Sequence, residues 1–135
     1  SGILTGKYSR ADLSAPVTRG ATDSRLELAK ATGRLSERAL DIADEVKAVA
    51  GEIGCTPGQV ALAWVMRQRA TTSLLIGART ADQLEDNLGA LDVTLSDGHV
   101  ARLESVASFQ PGFPHNFLKG PTYDHMFGAL NVERR

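Results

Sequence analysis

The chain has very little cysteine: Cys55 is the single one in 135 residues. One thiol excludes an internal disulfide, and this usage fits a reducing compartment, so we expect a cytoplasmic protein. Cys55 stands between a glycine and a threonine that are predicted to end one helix and begin the next. In that place we expect a buried or half-buried structural thiol and not a nucleophile.

An excess of charge and long apolar runs are also missing. The formal net charge is −1 and the pI is about 6.3, which gives no electrostatic case for nucleic acid or an anionic membrane as partners. No apolar run approaches the ~18 residues of a membrane span. The three histidines, at positions 99, 115 and 125, show no ligand spacing, so we predict no metal site.

The patterns that are present are mostly helical. Residues 1–34 indicate a glycine-rich loop with a short helix near Ser24–Ala31. Apolar residues recur at three- and four-residue intervals from Leu40 to Ile53, which predicts an amphipathic helix of about four turns ending at Gly54. The acidic residues between them are expected to form its solvated face, and they are Asp41, Asp44 and Glu45.

Two further helices carry recognisable start signals. Thr56 and Gln59 predict a capping box around a helix that begins at Pro57, and its apolar composition predicts that it is mostly buried. Ser96 is predicted to cap the helix that follows. Leu91 and Val93 are expected to anchor the connection before it, and an aromatic tail follows from residue 109.

The segment 72–87 is the most informative. Ser73–Ile76 has the short apolar run of a buried parallel strand, and Gly77 permits a turn and a close ligand approach. Thr80 is expected to N-cap a helix with Gln83 closing its capping box, which exposes free N–H groups beside Arg79. These features predict a phosphate-binding corner. The alternative is an ordinary turn with a solvated arginine.

Four motifs in order carry a family resemblance: SGILTGKY at 1–8, GQVALAW at 58–64, IGART at 76–80 and QLEDNLGA at 83–90. From Ser1 to about Phe117 the chain resembles the C-terminal part of the aldo-keto reductases, which are NADP-dependent (β/α)8 barrels. The resemblance implies an α/β fold class: the C-terminal part of a TIM barrel, predominantly helical here, with about one barrel strand. Its implied regions are a cofactor loop (1–34), helices with the last strand (35–108) and a tail (109–135).

The first motif differs from a P-loop, because its glycines stand one residue too close and Tyr8 occupies the place of the magnesium-binding hydroxyl. In the family, a similar loop folds over the cofactor pyrophosphate. The resemblance implies that Ser1 and Gly2 supply backbone contacts and that Lys7 supplies a cation. A solvated loop lysine is the alternative for Lys7.

Matching positions imply the rest of a cofactor site. Gly77 would allow backbone approach, Arg79 would bind the ribose 2′-phosphate, and Gln83 and Asn87 would contact the adenine end. The resemblance implies two further residues. Asp86 would accept a hydrogen bond from the adenine amino group, and the alternative is a solvated surface carboxylate. Arg25 would be a mobile-loop arginine that stacks over the adenosine.

The family's catalytic Asp, Tyr, Lys and His lie in the first half of its barrel, before the first residue of this chain. We therefore expect a fragment without catalytic residues, derived from an oxidoreductase that reduces aldehydes or ketones with NADPH. The expected partners are the nicotinamide cofactor and a small carbonyl substrate, and the fragment is expected to self-associate or to pair with the missing half. The alternative is a non-enzymatic helical binding or regulatory module of the same descent.

Overall fold

A computed structural model describes residues 2–16, 24–108 and 112. Within these ranges six α-helices follow one another: α1 (Arg10–Ser14), α2 (Ser24–Ala31), α3 (Glu37–Ile53), α4 (Pro57–Met66), α5 (Ala81–Leu88) and α6 (Asp97–Val106). Two short 3₁₀ helices, Ile3–Thr5 and Gly89–Asp92, precede α1 and follow α5.

The helix boundaries come from local capping chemistry, and most predicted ones are confirmed. α3 begins where the Ser36 hydroxyl accepts a hydrogen bond from the Ala39 N–H at 3.2 Å, and it ends at Gly54. The capping box of Thr56 and Gln59 begins α4, with Pro57 in the first turn. Each cap satisfies N–H groups that the first helical turn leaves without partners.

Two capping boxes were not predicted, although the sequence contains both. Ser9 and Asp12 exchange hydrogen bonds and begin α1 inside the segment that was predicted to be a loop. In α6, the predicted cap Ser96 is joined by His99, whose Nδ1 accepts from the Ser96 N–H at 3.4 Å. His99 therefore has a structural role at a helix start.

The buried residues form two clusters that share α3. The main core cluster joins α3, α4 and α6, and its members are Val46, Val49, Ala50, Val60, Ala63, Leu95 and Leu103. The loop-side cluster comprises Tyr8, Ala29, Leu35 and Leu40, with Ile3, Leu13 and Leu26 packed against it. α3 contributes to both, so it positions the N-terminal 3₁₀ helix relative to α4.

The predicted buried strand at Ser73–Ile76 is wrong for this structure. No strand occurs within the described ranges, and Leu75 is 97% exposed. A strand needs a neighbour to pair its N–H and C=O groups, and no described segment supplies one. The described residues therefore form the helical part of the expected architecture and no part of a barrel sheet.

Burial differs from the prediction at two other places. Only Val60 and Ala63 of α4 are buried, whereas its other apolar residues are half-buried. Leu91 is 70% exposed, and the connection is anchored instead by buried Leu95 together with half-buried Val93. Apolar composition alone cannot say which face of a short helix meets a neighbour.

The acidic face of α3 is ion-paired, where the sequence predicted only solvation. Arg10 of α1 reaches Glu37, Asp41 and Asp44 at 3.2, 2.7 and 2.8 Å. Arg102 of α6 reaches Glu45 and Glu52, each at 2.8 Å. These arginines tie α1 and α6 to α3. All the groups are partly exposed, so each pair adds little to stability by itself.

Candidate functional site

An open groove of about 480 Å³ lies between the N-terminal 3₁₀ helix, α4 and α5. Its floor is the outer face of α4, one wall is the 3₁₀ helix, and Asn87 of α5 stands on another side. The lining residues are Gly2, Ile3, Leu4, Thr5, Arg34, Gly58, Ala61, Leu62 and Asn87. We call this the α4 groove. Apolar walls with a few polar groups are typical of sites for cofactors and other small organic molecules.

The loop wall of the groove depends on two glycines in the left-handed region. Gly2 and Gly6 flank the 3₁₀ helix with φ of 74° and 77°. The Thr5 hydroxyl donates to the Gly2 carbonyl at 2.7 Å, and the Gly6 N–H donates to the Ile3 carbonyl at 3.1 Å. These two bonds close the turn, and Gly2 lines the groove.

Lys7 folds back toward the same wall. A Cβ added to Gly2 would lie 3.1 Å from Lys7 Cε, and Lys7 Nζ lies 4.5 Å from the centroid of the Tyr8 ring. The cation predicted beside Gly2 is therefore near it. Ser1, predicted to act with Gly2, falls outside the described residues.

Gln59 of α4 sets the position of α5 at the groove. Its Nε2 donates to the Asp86 carbonyl at 2.8 Å and to Asp86 Oδ1 at 3.2 Å. Its Oε1 accepts from the Thr56 N–H at 3.0 Å. A Cβ at Gly89 would lie 2.4 Å from Gln59 Nε2, so the amide occupies the space that Gly89 leaves. Asp86 thus has a structural partner, and its neighbour Asn87 is held at the groove.

The start of α5 differs in detail from the predicted corner. Thr80 caps α5 by accepting from the Gln83 N–H at 3.2 Å. The predicted box is not closed, because Gln83 Oε1 accepts from the Arg79 N–H at 3.0 Å instead of the Thr80 N–H. The Gln83 side chain therefore holds the Arg79 backbone, and the N–H that it binds lies one residue before the predicted one.

Arg79 presents its side chain to solvent at this corner. It is exposed, and its guanidinium makes no hydrogen bond or ion pair with another residue of the described ranges. Gly77 lies nearby with open space around the position of a Cβ and without a positive φ. The turn itself does not require glycine there, and the close ligand approach expected at Gly77 stays a prediction.

The predicted residues form two neighbouring groups. Gly2 and Asn87 line the α4 groove, with Lys7 and Asp86 beside them, while Gly77, Arg79 and Gln83 stand at the start of α5. Arg25 lies on α2 and does not line the groove.

Arg34 lines the α4 groove and was not predicted. It follows Gly33, which has a φ of 64° and ends α2. The Arg34 N–H donates to the Ala29 carbonyl at 2.8 Å, and its neighbour Leu35 is buried in the loop-side cluster. The main chain of Arg34 is thus held by the hydrogen bond to Ala29 and by the burial of Leu35. No sequence motif singles it out, since its place depends on how α2 packs against the loop.

Metal and thiol chemistry find no support in the described part of the chain. No group of three or more potential metal ligands occurs there, and His115 and His125 lie outside it. Burial raises the pKa of the Cys55 thiol, which favours its neutral form and fits the structural role predicted for it. Among the helices described, none has the length and apolar character needed to cross a bilayer.

Comparison with known proteins agrees with the sequence resemblance. A sequence profile described as the aldo/keto reductase family matches residues 1–108. The chain is 30% identical over 106 residues to aldo-keto reductase str7 of Strobilurus tenacellus, covering 78% of this chain and 30% of that protein. It is 35% identical over 89 residues to norsolorinic acid reductase B of Aspergillus parasiticus, covering 66% and 23%.

A third relative has a different kind of name. The chain is 32% identical over 113 residues to a probable voltage-gated potassium channel subunit beta of Oryza sativa subsp. japonica, covering 82% of this chain and 34% of that protein. Across these three relatives the chain spans between 23% and 34% of the partner's length.

Proposed function

Since the chain belongs to the aldo/keto reductase family, we propose that it forms the C-terminal part of a (β/α)8 barrel that reduces aldehydes or ketones with NADPH. When bound, the cofactor would supply the hydride, and a tyrosine outside this chain would supply the proton to the carbonyl oxygen. The part played by this chain is to bind and orient the cofactor.

The observation that carries this proposal is the α4 groove together with the neighbouring α5 corner. Gly2 and Asn87, which lie 85 positions apart in the numbering, line one groove. Apolar walls suit an adenine ring, and the Arg79 guanidinium at a helix start suits a phosphate. These groups match a nucleotide, which combines a flat apolar base with anionic groups.

The cofactor specificity rests on Arg79. A 2′-phosphate at the α5 corner would gain charge-assisted hydrogen bonds that NAD cannot make. Removing one charged partner costs about 1.5–3 kcal/mol, so Arg79→Ala should weaken NADP binding roughly ten- to a hundred-fold and change NAD binding much less. Fluorescence titration of both cofactors against the protein encoded by the complete gene measures this difference.

Arg69→Ala is the matched control, because Arg69 is exposed and does not line the groove. It should leave both affinities unchanged. Equal losses for NADP and NAD in Arg79→Ala would mean that Arg79 supports the fold or a shared part of the cofactor, and the 2′-phosphate role would be dropped.

The activity has its own test. The protein from the complete gene should oxidise NADPH when given a panel of aldehydes and ketones, whereas the 135-residue chain alone should not. The general acid must lie within hydrogen-bond reach of the substrate, and this chain carries none of the family's catalytic residues. Turnover by the rigorously purified chain would refute that assignment.

A second candidate function is a non-enzymatic binding or regulatory module. The relative named as a probable potassium channel subunit beta favours it. On this reading the complete protein binds NADPH and shows no carbonyl turnover, so the same assay separates the two candidates. The further proposals are a cytoplasmic location and the cofactor as partner. We also propose that this chain pairs with the missing half or with itself through the Ser73–Ile76 segment, where Leu75 and Ile76 are exposed.

A further inference from the structure

We propose that Arg34 is a second cofactor-binding arginine, which pairs with the diphosphate of the nucleotide while Arg79 takes the 2′-phosphate. The inference rests on the proposed function, because it assigns a residue to the same nucleotide. Arg34 belongs to none of the four motifs that carry the family resemblance.

The charge distribution around the α4 groove supports this assignment. Among the described residues that line the groove, Arg34 is the one that carries a positive charge. Its side chain is exposed, and it makes no hydrogen bond or ion pair within the described ranges. A guanidinium without a partner beside apolar walls can bind an anion without first breaking an existing pair.

The position of Arg34 selects the part of the nucleotide that it meets. Ile3 of the 3₁₀ helix packs against the cluster that buries Leu35, which places the neighbouring Arg34 on the loop side of the groove. The half-buried backbone turn at Gly2 lies on this side as well, with the Lys7 side chain close to it. Two cations and a backbone turn on one side of the groove suit a diphosphate.

The opposite side of the groove has the other polarity. Asp86 Oδ2 lies 4.0 Å from the position of a Cβ at Gly58, and Asn87 lines the groove beside it. These acceptors suit the amino group of a base. A nucleotide would therefore lie across α4, with its diphosphate toward Arg34 and its base toward α5.

The main chain of Arg34 is anchored, although its side chain is exposed. The hydrogen bond to Ala29 and the burial of Leu35 hold its backbone from both sides. A ligand that binds Arg34 therefore orders one side chain and no loop, which limits the entropy cost of the contact.

Two small nucleotides distinguish the proposed roles of Arg34 and Arg79. ADP carries the diphosphate without a 2′-phosphate, and adenosine 2′-monophosphate carries the 2′-phosphate without a diphosphate. In the protein from the complete gene, Arg34→Ala should weaken ADP and NADPH binding about tenfold, or about 1.4 kcal/mol, and leave adenosine 2′-monophosphate unchanged. Arg79→Ala should show the reverse preference between the two probes.

Controls separate binding from folding. Arg34→Lys keeps the charge and loses the planar fork, so it should show an intermediate loss. Arg69→Ala should bind both probes like the wild type. The affinity for ADP should fall less steeply with added salt in Arg34→Ala than in the wild type, because one ionic contact is gone. Calorimetric titration and thermal unfolding report affinity and folding separately.

The outcomes are distinct. If the wild type binds NADPH and ADP and Arg34→Ala binds ADP equally well, the role of Arg34 is refuted and the proposed function stands. A loss for adenosine 2′-monophosphate instead of ADP also overturns the assignment to the diphosphate. A wild type that binds none of the nucleotides removes the proposed function, and this inference with it.

Discussion

Replacing Gly89 by alanine tests the contact that holds α5 against α4. A Cβ at this position would lie 2.4 Å from Gln59 Nε2, so the amide must move away. It then loses its hydrogen bonds to the Asp86 carbonyl and to Asp86 Oδ1, at 2.8 and 3.2 Å. Each is worth about 0.5–1.5 kcal/mol, so the pair is worth about 1–2 kcal/mol at this partly exposed site.

A gain opposes this loss. Gly89 has φ of −56° and ψ of −18°, which alanine adopts without strain. Alanine also restricts the unfolded chain, which stabilises a protein by about 0.4–1 kcal/mol. The balance predicts that Gly89→Ala destabilises the protein by about 1 kcal/mol.

Removing Gln59 should reverse the sign. In a Gln59→Ala background neither the close contact nor the two hydrogen bonds exist, so Gly89→Ala should stabilise by about 0.4–1 kcal/mol. Urea unfolding of the four proteins of this double-mutant cycle should give a coupling energy of about 1–2 kcal/mol.

Gly51→Ala is the control. Gly51 lies inside α3 with open space around the position of a Cβ, so alanine should stabilise by about 0.5–1 kcal/mol in both backgrounds. If Gly89→Ala also stabilised both backgrounds equally, Gln59 would not occupy the space at Gly89, and the account of how Asn87 is positioned would be wrong.

Three further predictions concern stability and association. Gly6→Ala should lower the free energy of unfolding by at least the roughly 1–2 kcal/mol of a left-handed backbone. The loss should exceed that of Gly33→Ala, because a Cβ at Gly6 would also meet Lys47 Cε, whereas the space at Gly33 is open. Equal losses in urea unfolding would mean that the Lys47 contact has no effect. The pKa of Asp44 is lowered chiefly by Arg10, and that of Glu52 chiefly by Arg102. The stability that these two carboxylates contribute is therefore present above the ordinary carboxyl pKa of about 4 and is lost as the pH falls through the lowered values. Asp44→Asn should make the fall of Tm with decreasing pH less steep, and an unaltered fall would contradict this. The isolated chain should associate through the Ser73–Ile76 segment, where Leu75 and Ile76 are exposed. Leu75→Glu should therefore shift the sedimentation distribution toward the monomer, and an unchanged distribution would place the contact elsewhere.

Local chemistry made much of the fold predictable. Thr56, Pro57 and Gln59 fix the start of α4 within four residues of sequence, and the intervals from Leu40 to Ile53 define the buried face of α3. Such signals are complete in the sequence, because the partners lie three or four residues apart.

Features that depend on distant partners were missed or misjudged. An apolar run such as Ser73–Ile76 becomes a strand only beside another strand, and none is described here. The sequence predicted that the Gln83 side chain accepts from the Thr80 N–H, whereas in the folded turn it accepts from the Arg79 N–H. Within the site, the family resemblance implied that Gly2 and Asn87 belong to one cofactor site, whereas Arg34 lines the groove through the packing of α2 and Leu35.

The sharing of α3 between two clusters has a consequence for hydrogen exchange. The loop-side cluster has four buried residues and the main core cluster has seven, so the loop side should open more often by local unfolding without the main core opening. Amide protons of α2 should then exchange faster than those in the second half of α3. Because the α4 groove has one wall from each side, a bound ligand would have to be released before the loop side opens. The protection gained by α2 amides on ligand addition would therefore report occupancy of the groove from residues that lie outside it.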